Sequence, residues 1–220
     1  MHILVTGASG LLGQGVLEAC LASAAVTRVT VLARQSIHRQ HPKLQEILLP
    51  DFAQADTVQA QLAGMDACFY CAGAPPVGTR KDTYRHVTLE LTLAVARAYA
   101  AANPQGKFLY VSGAHSDAQS RVMPLRIKGE TEDALRALPL TTVMLRPGGI
   151  LPETGTQSPH ATLRLLHRLA RPLQATLLHS VPAAATSNGR IGRAMLALAA
   201  MQDPPGIVEN RMINALASAH

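Results

Sequence analysis

A largely apolar run, His2-Ile3-Leu4-Val5, passes directly into Thr6-Gly7-Ala8-Ser9-Gly10-Leu11-Leu12-Gly13, and helix-forming residues follow from Gln14 to Leu21. Strand, glycine turn and helix in immediate succession is the context in which a glycine pattern predicts phosphate binding. Gly7 permits the tight turn, Gly10 lets backbone approach a pyrophosphate, and Gly13 lets the helix pack closely on the strand. The free N–H groups of Ser9, Leu11, Leu12 and their neighbours, at the positive end of the helix dipole, then face the anion.

This opening fixes the expectation for the rest of the chain. Ile3–Thr6, Arg28–Ala33, Ile47–Leu49, Ala67–Cys71, Lys107–Ser112 and Thr141–Arg146 read as strands, and Leu11–Leu21, Ala53–Leu62, Tyr84–Ala102 and Leu125–Leu138 as helices. The strands are nearly continuous in apolar residues, as strands buried on both faces are. Repeated βα alternation predicts an α/β fold, a doubly wound parallel sheet of Rossmann type, with ligands at the carboxyl ends of the strands near the switch point. Beyond Pro147-Gly148-Gly149 the pattern changes. A loop rich in Pro, Gly, Thr and Ser runs to about Pro159, Ala161–Arg171 and Arg190–Met201 look helical, and Gly206–Asn214 has room for a last strand. The expected organisation is one domain over 1–220, with a cofactor-binding core in 1–150 and a small substrate-side elaboration in 151–220.

Aromatic residues make up 3% of the chain and Trp is absent, which leaves little for stacking on single-stranded nucleic acid. The net charge of +6 is scattered without a basic run, so it favours an anionic small ligand over nucleic acid. No apolar stretch is long enough to cross a membrane, and without a secretory signal the expected location is cytoplasmic. Cys68 and Cys71 have redox-motif spacing, but within a strand residues three apart point to opposite faces, so they read as core residues and not as a disulfide.

The second strand ends in Leu32-Ala33-Arg34-Gln35-Ser36. NAD-specific sites usually place Asp or Glu here. Arg34 instead suits the 2′-phosphate of NADP(H) through charge-assisted hydrogen bonds, with Ser36 adding another, so NADP(H) is expected over NAD(H). Asp51, followed by Phe52, accepts from an adenine amino group or caps the helix at Ala53; both readings stand. Cys71-Ala72-Gly73 ends the fourth strand with small residues that let the cofactor approach.

Thr6–Gly13, Leu32–Arg34, Asp51, Cys71–Gly73, Tyr110-Val111-Ser112, Lys128-Gly129-Glu130 and Arg146-Pro147-Gly148, in this order, resemble an atypical short-chain dehydrogenase/reductase. The most similar branch is the compact group of bacterial NAD(P)H-binding oxidoreductases labelled epimerase-like or semialdehyde-dehydrogenase-like. The resemblance spans nearly the whole chain and is strongest through residue 150. It implies that Lys128 binds the nicotinamide ribose and that the turn at Pro147 and Gly148 passes the carboxamide. It also implies a Tyr four residues before that Lys as proton donor or acceptor. Pro124 stands there, and Gly113 stands where a hydroxyl residue often follows Ser112. Ser112, His115 and Lys128 are therefore the catalytic candidates, with Ser116 beside them. Tyr84 either packs in the core or reaches the site from another side. Glu130 and Glu132 read as the solvated face of their helix. His160, His167 and His179 are too scattered for a metal site.

Three functions are compatible with this sequence. One is an NADPH-binding oxidoreductase reducing a small carbonyl or quinone. Another is an NADPH-binding sensor that has lost its chemistry. The third is a nucleotide-sugar epimerase or dehydratase, against which the short C-terminal part and the missing Tyr both count. Flanking helices of such sheets often make dimer contacts, so a homodimer is compatible too.

Overall fold

The computed structural model describes residues 1–153 and 184–218. A seven-stranded parallel sheet forms the centre: β1 (His2–Thr6), β2 (Arg28–Ala33), β3 (Leu44–Leu48), β4 (Ala67–Tyr70), β5 (Lys107–Val111), β6 (Thr141–Arg146) and, at the far edge, β9 (Ile207–Glu209). Their order is β3-β2-β1-β4-β5-β6-β9. A separate parallel pair joins β7 (Gly149–Leu151) to β8 (Ala185–Ser187). The helices are α1 (Leu11–Ala22), α2 (Lys81–Arg85), α3 (Leu91–Ala102), α4 (Met123–Arg136), α5 (Asn188–Ala200) and α6 (Asn210–Ser218).

The two-residue period of the strands sorts the core into two layers. Ile3, Val5 and Phe69 face α1, α5 and α6; Leu4, Cys68 and Tyr70 face α3, α4 and the Phe52–Leu62 segment. Cys68 and Cys71 pack against opposite layers, and all three cysteines are free thiols. The strand order reverses between β1 and β4, whose last paired residues are Thr6 and Tyr70. This is the switch point at which a crevice opens.

Several elements differ from the sequence reading. β3 begins at Leu44 instead of Ile47, because an edge strand pairs through its backbone and does not need a continuous apolar run. Phe52–Leu62 winds as two 3-10 stretches that meet at a kink at Gln54, and Asp51 caps the first of them. The long helix from residue 84 is interrupted by a π turn, His86–Glu90. α4 starts before Pro124, which a first helical turn accommodates because its amide needs no intrahelical partner. The final strand stops at Glu209, and Asn210 begins α6. The predicted helix at Ala161–Arg171 and the three scattered histidines lie outside the described residues.

Candidate functional site

The glycine turn is built by close backbone contact. Gly7 has φ +70°, and a β-carbon there would stand 2.6 Å from the Ala72 amide nitrogen. A β-carbon on Gly13 would stand 2.1 Å from the Gly7 carbonyl oxygen, so α1 packs directly on the turn. Gly10 differs: its β-carbon would meet only the Gly7 oxygen, at 3.3 Å, and it leaves the front of the helix open. Gly10 is the N-cap of α1, gives no side-chain cap, and is followed by no acidic residue in the first turn. An uncapped helix N-terminus without a neighbouring carboxylate suits an anion. Thr6 ties the two strand ends together, its Oγ1 accepting from the amides of Cys71 (3.1 Å) and Ala72 (3.3 Å).

Along the carboxyl ends of the strands run two adjoining cavities. The larger, about 920 Å³, passes from the glycine turn to Arg34 and Ser36 and is walled by Phe52 and Cys71–Gly73. The smaller, about 330 Å³, shares Gly10 and Cys71–Gly73 and reaches Leu11, Leu12, Ser112 and Lys128. They form one elongated crevice with an exposed guanidinium at one end and an ammonium at the other.

The structure places the individual candidates as follows. Arg34 lines the larger cavity at the end of β2. Ser36 lines it too, with its Oγ accepting from the His38 amide at 3.0 Å. The Asp51 carboxylate accepts from the Ala53 amide at 2.9 Å, the capping arrangement, and lies outside both cavity walls. Lys128 Nζ donates to the Ser112 carbonyl, which aims it at the end of β5. Burial pulls its pKa down to about 8, with the Glu132 charge opposing the fall. Ser112 is buried and its Oγ donates to Ser116 Oγ (2.9 Å), which donates on to the Gly113 carbonyl (2.8 Å). His115 is exposed, has φ +61°, and lines neither cavity. Pro147 and Gly148 also lie outside the cavity walls: the Gly148 amide donates to Asn210 (2.8 Å) and the Pro147 carbonyl accepts from Ala114 (2.9 Å). Ile150, two residues on, lines the smaller cavity instead.

Glu132 is a correction. It is 1% exposed, not solvated, because Arg146 from β6 reaches over α4 and donates to its carboxylate twice, at 3.0 and 2.6 Å. Glu130 pairs with Arg85. Sequence reading also missed the anchoring role of Asn188 at the start of α5. Its Nδ2 donates to the Leu11 carbonyl (2.8 Å) and its Oδ1 accepts from Glu153 (2.9 Å), joining the last third of the chain to the glycine turn. Nothing local in the sequence marks a contact between residues so far apart. Among the described residues no group of three His, Cys, Asp or Glu gathers as metal ligands, and no helix is long and apolar enough to cross a membrane.

A family model described as NAD(P)H-binding matches residues 7–166. Leucinostatins biosynthesis cluster protein T of Purpureocillium lilacinum is 28% identical over 59% of this chain and 50% of its own length. The mitochondrial protein fmp52 of Emericella nidulans is 27% identical over 67% of this chain and 66% of its own. The chain thus spans half to two thirds of these relatives. Among solved structures, uronate dehydrogenase from Agrobacterium tumefaciens superposes with TM-score 0.68 at 15% identity, covering 94% of this chain and 75% of that one. UDP-glucuronic acid 4-epimerase from Bacillus cereus, in complex with NAD, gives TM-score 0.66 at 17% identity over 94% and 76%. At these identities the likeness is one of fold.

Proposed function

The chain belongs to the NAD(P)H-binding family, and from that premise we propose that it is an NADPH-dependent oxidoreductase of the atypical short-chain dehydrogenase/reductase type, reducing a small carbonyl or quinone. The observation that carries this reading is the crevice itself. A glycine turn at an uncapped helix N-terminus lies at its middle, Arg34 at one end, and Lys128 and Ser112 at the other. That order matches a dinucleotide laid across the switch point. The Gly7–Gly13 backbone holds the pyrophosphate, Arg34 and Ser36 the 2′-phosphate, Phe52 and Cys71–Gly73 the adenine side, and Lys128 the nicotinamide ribose. Bound there, NADPH supplies a hydride.

The test is fluorescence titration with NADPH and NADH. An unpaired guanidinium meeting a 2′-phosphate is worth about 1.5–3 kcal/mol, so NADPH is expected to bind roughly tenfold to a hundredfold more tightly. Arg34→Ala should erase most of that preference and leave NADH binding nearly unchanged. Equal affinities in the wild type would remove the basis for NADPH.

Lys128 gives the site a pH dependence. Its ammonium is the form that donates to ribose oxygens, and it is lost as pH rises through about 8. A 2′-phosphate, with its second pKa near 6, is already ionised there. NADPH affinity is therefore expected to be flat from pH 7 to about 8 and to fall above it, by up to roughly tenfold per pH unit. Lys128→Met should bind more weakly and show no such fall; a wild-type affinity flat to pH 9.5 would separate Lys128 from the cofactor.

The sensor reading is favoured by one observation, Pro124 standing four residues before Lys128. It expects NADPH binding without turnover of any carbonyl.

A further inference from the structure

Tyr84 is 0% exposed, and its hydroxyl has no hydrogen-bond partner. Among the described residues no other buried side-chain nitrogen or oxygen lacks one. A buried hydroxyl left unpaired is destabilising, and native folds seldom tolerate it without a reason. Tyr84 lies in the wall of the smaller cavity, together with Thr88, Ser112 and Lys128. Burial pushes its phenol pKa up; the Thr88 side chain tempers the rise without meeting hydrogen-bond geometry. The phenol is accordingly neutral near pH 7 and available as a donor.

Its position is fixed from several sides. Tyr84 packs with Leu89 and with Ile127, the residue before Lys128. Arg85, beside it on α2, pairs with Glu130 on α4. The π turn that follows breaks the helical ladder, and the Thr88 carbonyl there accepts from the hydroxyls of Thr92 (2.7 Å) and of Thr131 on α4 (3.3 Å). Such turns occur disproportionately at functional sites. The segment bearing Tyr84 and the helix bearing Lys128 are thus clamped together around one cavity.

We propose that Tyr84 is the hydroxyl that binds the substrate's oxygen and protonates it, from a helix other than the one that carries Lys128. The inference rests on the carbonyl-reducing reading above. Tyr84 Oη gives up its proton as the carbonyl π electrons move onto oxygen, while the carbonyl carbon takes the hydride that NADPH supplies. The products are the alcohol and NADP⁺, and the phenolate regains its proton from water that enters the smaller cavity as the alcohol leaves. The hydroxyl that lacks a partner in the free protein acquires one in the substrate, and the bond strengthens as charge develops on the oxygen.

Tyr84→Phe tests this with three measurements. Without cofactor, the variant should melt at the wild-type temperature or up to about 4 °C higher, since it deletes an unpaired polar group. Its NADPH affinity by fluorescence titration should stay within about twofold. Its kcat for NADPH-dependent reduction of 4-nitrobenzaldehyde should fall by about a hundredfold to ten-thousandfold, the usual contribution of a general acid. A lower melting temperature would mean that the hydroxyl bonds within the fold, and would overturn the proposal. Unchanged kcat would overturn it while leaving the carbonyl-reducing reading intact. A wild type that binds NADPH but does not reduce the aldehyde would overturn that reading and the role of Tyr84 with it.

Discussion

Gly13→Val is expected to abolish cooperative folding, whereas Gly10→Val, three residues earlier, should fold normally and fail to bind NADPH. The two glycines occupy the same turn but face different things. A β-carbon on Gly13 would sit 2.1 Å from the Gly7 oxygen and 2.8 Å from the Ala8 nitrogen, all backbone that cannot swing aside. Clashes of this kind fall in the rare class costing about 4–5 kcal/mol or more, a large part of the roughly 5–15 kcal/mol that holds a domain together. Gly10 has φ −82° and an extended ψ, which valine adopts freely, and its β-carbon meets one atom at 3.3 Å. As a poor N-cap, valine there should cost only about 1 kcal/mol. Its branches, however, project where a pyrophosphate must come against the helix amides. In the wild type, NADPH at a hundredfold excess over Kd should stabilise by about 2.7 kcal/mol, roughly 5–10 °C for a chain of this size. Circular dichroism melts with and without NADPH read both effects. A Gly10→Val protein still stabilised by NADPH would place the cofactor elsewhere, and a Gly13→Val protein melting like the wild type would refute the close packing of α1 on the turn.

Glu132→Ala should be the next most damaging change. Glu132 is 1% exposed and accepts from Arg146 through both oxygens and from Arg136 Nη2 at 3.1 Å. Removing a buried carboxylate strands the cations that faced it, at about 3–5 kcal/mol for a fully buried pair. Arg146 is 18% exposed and keeps Glu209 at 3.4 Å, and Arg136 is 39% exposed, so the lower end, about 3 kcal/mol, is the expectation. Urea denaturation should show the midpoint falling with little change in slope; a loss below about 0.5 kcal/mol would make this an ordinary surface pair. Glu132→Gln keeps the shape and removes the charge. Because the Glu132 charge opposes the burial that lowers the Lys128 pKa, this variant should start losing NADPH affinity below pH 8.

The glycine-turn end of the crevice was legible because its signals are local. Gly7, Gly10, Gly13, Arg34, Phe52 and Cys71–Gly73 each follow the end of a strand that its own apolar run announces, and all but Gly13 stand in the larger cavity's wall. The end of the crevice at Ser112 and Lys128 was far less legible. His115 has the right chemistry and the right loop, yet it is exposed, with φ +61°, and lines neither cavity. Ser112 is in place, but its hydroxyl is already engaged by Ser116, a partnership that spacing alone does not reveal. Glu132 looked solvated because its helix is polar around it; only the arrival of Arg146 from a strand makes burial of the charge tolerable.

What the sequence determined by itself is the α/β alternation, the parallel sheet and the glycine turn at its switch point. These follow from apolar runs, turn residues and backbone sterics, which act over a few residues and are written in consecutive letters. The tertiary structure alone decided which polar groups meet. Tyr84 faces the cavity of Lys128, Asn188 holds Leu11, and Arg146 covers Glu132. Burial and hydrogen-bond satisfaction depend on groups far apart in the chain, so a side chain's role is set by neighbours that its own sequence surroundings do not name.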